Sequence, residues 1–567
     1  MQPSDTASED ESRRDTPRVA LIVGLCAAGV GAVTAAVQLR HGIIPLLDTV
    51  TYWSGAESVA SGQPLRTTLT PSFSNFDAVE FLDRGGSIPF VDFPIAYPLI
   101  AGSAGVVIGT RAAMHLLTVI AIALTAWAIV SGASAKTTSP GAAWSRSLTR
   151  SLLLGAFACL VPFLPAMRLV TQGTLSEPLF IASTLLLVGA LGRYRNNGRW
   201  SPVVVLVVTS SLLRFLGAPL AVLAGWEHHR RTGRARQSFV WTLAMMTPAA
   251  INIAAASAAG GGHSAGWRGL DRIDVEVFVR SVGGWFDAVQ GDIRRTYFTT
   301  DGPSWWSWPA TVAVVVMMAL AVDAVIRRRR FFTDTADIAL AAAAILTAGL
   351  VAGILGFDAL VIADNRLMLP IGILVMCAMV WTGLEWLTTD AFSSTRTSNE
   401  RDSPRSTRSS LTTRSSLARR SRMTGIGAFT CALIVWGFAG VRPWNALERF
   451  SDVQRPIALS QSVVDLDIAV VISNDADGVH WDTGLPAAYT PMSVKPLTGE
   501  VVDDVAIYQR IPCPLLVAQG AIVISNDATF STVNREALDD LTDRGVLRKV
   551  TQDRATVYLP TDRACDE

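Results

Sequence analysis

Runs of about twenty apolar residues recur along most of the chain, and that is the length an α-helix needs to cross a bilayer. Lipid offers no partner to backbone N–H and C=O groups, so such runs have to be helices packed side by side. The runs are 19–39, 111–133, 151–170, 176–191, 239–259, 306–326, 337–355, 367–387 and 425–441, with a longer one at 200–226. Residues 95–108 are apolar but too short for a comfortable crossing. The composition agrees: 50% of the 567 residues are hydrophobic, 17% are charged, and the mean hydropathy is +0.36. A soluble domain carries about 25% charged residues. The net charge of +1 leaves no global basic field, so nucleic acid is not an expected partner.

Loop charges set sidedness. Arg13, Arg14 and Arg18 place the N-terminus in the cytoplasm, and the four arginines at 327–330 mark the same side. Segment 200–226 begins and ends beside basic loops and holds Arg214, Gly217 and Pro219 near its middle, which predicts a hairpin of two short helices. The expected fold class is a polytopic all-α membrane bundle of about eleven transmembrane helices with a small C-terminal extracytoplasmic α/β domain, in the plasma membrane. Its parts are a cytoplasmic tail at 1–18, a transmembrane domain at 19–444 and the outer domain at 445–567. Within the membrane domain, 39–94 is the first extracytoplasmic loop, and the Ser, Thr and Arg-rich stretch 388–424 is a disordered cytoplasmic linker.

In the outer domain, 467–473, 504–509 and 521–525 read as strands, 534–544 as a helix capped by Asn534, and 546–559 as a hairpin. The near-repeat AVVISNDADGV and AIVISNDATF reads as two strands ending in Asx-type turns; a metal or sugar site at Asn474, Asp475, Asn526 and Asp527 is the alternative. Cys513 and Cys565 are the only cysteines outside apolar runs, and a disulfide between them is expected. The other cysteines read as small hydrophobes, and His228 and His229 sit in a basic loop at no ligand spacing.

The first outer loop is long and polar, unlike what an anchor needs. It places Asp48 close to the membrane surface, continues with Tyr52, Trp53 and Glu57 at helical spacing, and returns through Asp92, Phe93, Pro94, Tyr97 and Pro98. Charges at span edges are costly and so pose a functional question. Arg168, Glu177, Arg214, Asp364 and Arg366 join Asp48 and Glu57 on the outer face. Such a set suits sugar transfer from a polyprenyl phosphate: a carboxylate takes the acceptor's proton and arginines neutralise the departing phosphate. Asp48 and Glu57 are the catalytic candidates; Arg214, Arg366, Glu177, Asp92, Tyr97 and Arg168 are the substrate-binding ones. Structural readings stand beside these. Glu177 is also a first-turn helix acid, Arg168 a snorkelling end residue, and Asp48 a cap for the helix after it.

The stretches DTVTYWSGAESVASGQPL, FPIAYPLIAG, TLSEPLFIASTLLLVGALGRY, SSLLRFLGAPLAVLAG and DNRLMLPIGIL resemble GT-C superfamily membrane glycosyltransferases, in particular bacterial relatives of dolichyl-phosphate-mannose protein mannosyltransferases. VVISNDADGVHWDTGLPAAYTP is similar to their tail domain. The resemblance implies an inverting transferase with a polyprenyl-phosphate sugar donor, an envelope glycan, lipid or protein acceptor, and the first-loop acid as base. Asp48 matches that position. Ala96, Tyr97 and Pro98 stand where relatives often have two adjacent prolines, and Leu47 and Thr49 flank Asp48 where a second acid is common. No cofactor is called for, and nothing in the sequence supports a divalent metal. A transporter or flippase, or a non-catalytic assembly scaffold, are the alternative classes; no second copy of the acidic loop marks related halves.

Overall fold

The computed structural model of the chain describes residues 6–40, 42–43, 46–70, 77–90, 93–132, 143–259, 316, 319–323, 325–327, 334–356, 365–396, 466, 468–491, 503–525, 533–551 and 555–566. Helices α1 (Thr6–Leu39), α2 (Leu47–Ala60), α3 (Ala78–Asp83), α4 (Ala96–Ile108), α5 (Thr110–Gly132), α6 (Ala143–Leu160), α7 (Pro165–Gln172), α8 (Glu177–Asn197), α9 (Ser201–Leu213), α10 (Leu220–Thr232), α11 (Ala235–Ala258), α12 (Asp334–Gly356) and α13 (Asn365–Arg396) precede the C-terminal sheet region. Among the described residues α1, α5, α11, α12 and α13 are long and apolar enough to cross a membrane, and the bent pair α6 and α7 brings the number to six. The molecule is a largely helical polytopic membrane bundle. Five or six such spans stand where about eleven crossings are expected. Helices α4 and α9 are apolar but only 13 residues each, and runs 306–326 and 425–441 lie mostly or wholly outside the described residues.

Helix α1 lies on α5 and α6, α5 on α8, α8 on α9 and α12, and α12 on α13. Helix α8 is central: Phe180, Ile181, Ala182, Leu185, Leu187 and Ala190, on all sides of it, are at most 3% exposed. The run 151–170 is not one straight helix. Pro162 and Pro165 have no N–H to give the helical ladder, and the chain bends by 64° there.

The hairpin expected at 200–226 is present. Trp200, before α9, meets His228, near the end of α10, with ring centroids 4.8 Å apart, whereas one continuous helix would separate them by about 40 Å. The reversal is made at Arg214, whose backbone is extended, and at Gly217, where a Cβ would lie 2.4 Å from the Ser210 carbonyl oxygen.

The C-terminal region is β-rich. Its strands are β4 (Val470–Ser473), β5 (Ala487–Tyr489), β6 (Gly520–Ser525), β7 (Leu547–Thr551) and β8 (Ala555–Pro560). The first loop supplies β1 (Arg66–Thr67), β2 (Leu69–Thr70) and β3 (Ile88–Pro89). The six-stranded sheet runs β2-β5-β4-β6-β8-β7, so its edge strand comes from the loop after α1. Leu69 pairs with Ala487 in parallel register, and Phe81, Leu82 and Ile88 share a core with Ile472, Tyr508 and Leu515. That loop and the C-terminal region fold as one apolar unit.

Helices α14 (Ala476–Thr483), α15 (Asp504–Arg510), α16 (Pro512–Val517) and α17 (Arg535–Asp543) accompany the sheet. Helix α15 replaces the strand expected at 504–509. The Asp503 carboxylate accepts from the Ala506 N–H at 3.1 Å, and this cap outweighs the alternating pattern that followed it. Asn534 caps α17 as expected. Asn474 follows the end of β4 as expected, and its side chain bonds a neighbouring strand. It reaches across to β6, donating to the Ser525 carbonyl at 3.0 Å and accepting from its N–H at 2.8 Å. Asn526 and Asp527 lie outside the described residues.

Cys513 and Cys565 form a disulfide, with Cα atoms 4.6 Å apart. It ties α16 to the C-terminal end of the chain. In the chain-entropy picture a loop of this span is worth about 4 kcal/mol. Alkylation without reduction should leave both cysteines unlabelled by intact mass, and a Cys513→Ser, Cys565→Ser variant should unfold at a clearly lower temperature; free thiols at both positions would contradict this.

Candidate functional site

Helix α2 begins at Leu47, with Leu46 at the N-cap and no side-chain cap bond. Asp48 is therefore not the cap. It lies in the first turn, where the helix dipole favours an acid, and one turn later Tyr52 shares its face. Helix α4 runs alongside: Gly102 lies so close to α2 that a Cβ would be 2.6 Å from the Ala56 carbonyl oxygen. This approach presses Tyr52 into an aromatic cluster with Phe93 and Tyr97, at centroid distances of 5.1 and 5.0 Å.

Both helices are pinned to the turn before α8. Thr49 Oγ1 donates to the Gly173 carbonyl at 2.6 Å, Tyr97 Oη donates to the Thr174 carbonyl at 2.5 Å, and Tyr52 Oη is 3.1 Å from Ser176 Oγ. Thr174 has φ +46°, a left-handed conformation uncommon outside glycine, and the bonds to Gly173, to Thr174 itself and to Ser176 fix the turn around it. The hairpin apex arrives at the same turn. Arg214 Nη1 lies 3.1 Å from Glu177 Oε1 and donates to Ser176 Oγ at 3.3 Å. Glu177 is 1% exposed and Arg214 14%, so this is an ion pair inside the protein. Burial pushes the Tyr52 phenol far above its ordinary range; Arg214 opposes this, and the Glu177 and Asp48 carboxylates add to it.

The structure brings together Tyr97, Glu177 and Arg214 of the expected set, with Asp48 one helical turn before Tyr52, and adds Thr49, Tyr52, Thr174 and Ser176. Arg168 sits on α7, its guanidinium 5.6 Å from the Phe163 ring centroid. Arg366 is in the first turn of α13, its side chain outside the described part, and Asp92 and Asp364 lie outside the described residues. Among the described residues no three or more His, Cys, Asp or Glu are grouped to hold a metal ion.

Glu57 belongs elsewhere. It is nine residues from Asp48 on α2, about 13 Å along the axis. It accepts from Trp53 Nε1 at 3.1 Å and from the Thr110 hydroxyl. Beside it the Arg111 guanidinium lies between two indoles, 4.4 Å from the Trp53 centroid and 4.1 Å from that of Trp481, and donates to the Trp481 carbonyl at 2.8 Å. His480 packs on Trp53 at 5.2 Å. A cation between two aromatic faces joins the start of α5, the outer side of α2 and α14 of the sheet region. The sheet region thereby grips the helix that carries Asp48.

Burial lowers the pKa of His480, Arg111 lowers it further, and the bond to the Leu485 carbonyl with Asp477 and Glu57 opposes them. Its folded pKa lies below its unfolded one, so its stabilising contribution is complete above the unfolded value, about 6.5, and declines as pH falls from there toward the folded value. The thermal midpoint should drop below about pH 6.5, and His480→Gln should drop less steeply; parallel profiles would contradict the assignment.

No protein-family model matches the chain, and no curated protein matches it. Among solved structures, the crystal structure of ArnT from Cupriavidus metallidurans bound to undecaprenyl phosphate is similar to 96% of this chain over 97% of that one, with 11% identity and a TM-score of 0.42.

Proposed function

We propose that the chain is a membrane glycosyltransferase of the GT-C type that moves a sugar from a polyprenyl-phosphate donor to an envelope glycan, lipid or protein, with inversion. The observation that supports this is a first-turn aspartate, Asp48, one helical turn before Tyr52, whose hydroxyl lies 3.1 Å from Ser176 Oγ beside the buried ion pair of Arg214 and Glu177. The acceptor oxygen attacks the anomeric carbon from the side opposite the phosphate. Its proton passes to Asp48, the bond from carbon to phosphate oxygen breaks, and the electron pair leaves with the polyprenyl phosphate beside Arg214. Arg366 is proposed as a second phosphate partner, and Glu57 as part of the contact that holds α2. Purified protein given a mixed polyprenyl-phosphate-sugar extract and an envelope fraction should release free polyprenyl phosphate, detected by mass spectrometry. No release from any such extract would count against the reading.

This chemistry requires the Asp48 face and the sheet region to be extracytoplasmic, over a transmembrane part within 19–444 and a cytoplasmic tail at 1–18. A reporter active only outside the membrane should work when fused after Glu567 and stay silent when inserted in 393–421. Activity at the second position with silence at the first would invert the topology.

A further inference from the structure

The end of the bundle opposite Arg214 carries its own concentration of charge. Helix α8 ends with Arg193 and Arg195, Arg199 follows, α10 closes with Arg230 and Arg231, and Arg234 and Arg236 stand at the start of α11. Over 193–199 and 226–236 these seven arginines are matched by one acid, Glu227. Glu227 is 2% exposed and already taken: Arg195 donates to both its oxygens at 2.8 and 2.6 Å, and Arg230 to one at 3.1 Å. Arg193, Arg199, Arg231, Arg234 and Arg236 are exposed. Arg231 donates to the Tyr194 carbonyl and lies 5.1 Å from its ring centroid, so the two basic stretches form one patch.

Helix dipoles account for Arg195, Arg230 and Arg231, in the last turns of α8 and α10, but not for the rest of the patch. Arg236 is in the first turn of α11, where a cation opposes the helix dipole. Its depth points to the bilayer. Beneath the arginines Trp200 packs on Tyr194 at 4.9 Å and on Trp241 at 6.4 Å, the aromatic layer expected at a membrane-water boundary. Directly below Arg236, Phe239 and Val240 are 63% and 57% exposed at the start of a membrane span. Guanidinium groups at headgroup level above an exposed apolar wall match a phosphate with acyl chains attached.

We infer that Arg199, Arg231, Arg234 and Arg236 form a binding site for an anionic phospholipid of the leaflet opposite the Asp48 face. The lipid phosphate sits among the guanidinium groups and its chains lie along Phe239 and Val240. The site is separate from the proposed donor site and does not depend on it.

The test is lipid retention by the full-length protein, exchanged into detergent micelles doped with equal phosphatidylglycerol and phosphatidylcholine and quantified by mass spectrometry. The protein should retain phosphatidylglycerol at least about tenfold over phosphatidylcholine, and the triple variant Arg231→Gln, Arg234→Gln, Arg236→Gln should lose that preference. An Arg544→Gln, Arg548→Gln variant in the sheet region should keep it. Inorganic phosphate at equal concentration should not displace the lipid; if it does, the site takes free phosphate and the lipid assignment fails. A wild-type measurement covers a triple variant that does not fold: raising the salt from about 0.1 to 1 M should weaken retention sharply. Equal retention of the two lipids, salt-independent retention, or a preference untouched in the folded triple variant would overturn the inference.

Discussion

Asp48→Asn should lower sugar transfer by about 10² to 10⁴ while leaving the fold and donor binding nearly intact, the loss expected when a general base is removed. The amide keeps the side chain's shape in the first turn of α2. Tyr52 and Thr49 still pin the helix through Ser176 and Gly173. The fall should therefore appear in kcat with KM for the donor little changed. Glu57→Gln should behave differently: its carboxylate accepts from Trp53 and Thr110 at the junction with the sheet region, so thermal stability should respond before chemistry does. Normal transfer by Asp48→Asn would end the assignment.

Glu177→Ala should destabilise the protein by about 3–5 kcal/mol, because it removes the carboxylate paired with Arg214 in the interior. The size decides between two readings. A first-turn acid that serves only the helix dipole contributes about 0.3–1 kcal/mol, so a loss in that range would reduce Glu177 to a helix-end residue. Glu177→Gln, which can still accept from Arg214, should lie between. Chemical denaturation in detergent, followed by a near-ultraviolet signal, reads the difference. A stable Glu177→Ala protein would show that the pair does not hold the hairpin apex against α8.

The parts of the fold visible in the sequence are those set by local pattern. The reversal at Arg214 was legible because an arginine, a glycine and a proline interrupt an apolar run flanked by basic loops at both ends. Cys513 and Cys565 were legible because the other cysteines lie in apolar runs. Asp48, Glu177 and Arg214 were legible as charges at span edges, though the sequence could not say which met which. Non-local pairing was not legible. Two residues, Leu69 and Thr70, join a sheet whose other strands lie some four hundred positions later, and no short pattern encodes that. Thr174 was missed because threonine seldom takes a left-handed backbone; Tyr52 was visible only as a residue at helical spacing after Asp48, and Ser176 was missed, because their importance lies in whom they touch. The strand expected at 504–509 failed to the Asp503 cap, a helix-start signal weaker to the eye than alternating apolar residues.

The most direct test of the account is a structure of the protein with a bound polyprenyl phosphate. Density for the phosphate should lie within hydrogen-bonding reach of the Arg214 guanidinium, on the face that carries the sheet region, with the Asp48 carboxylate across from it and the polyprenyl chain leading into the bilayer. A phosphate bound elsewhere, out of reach of Arg214, would contradict this.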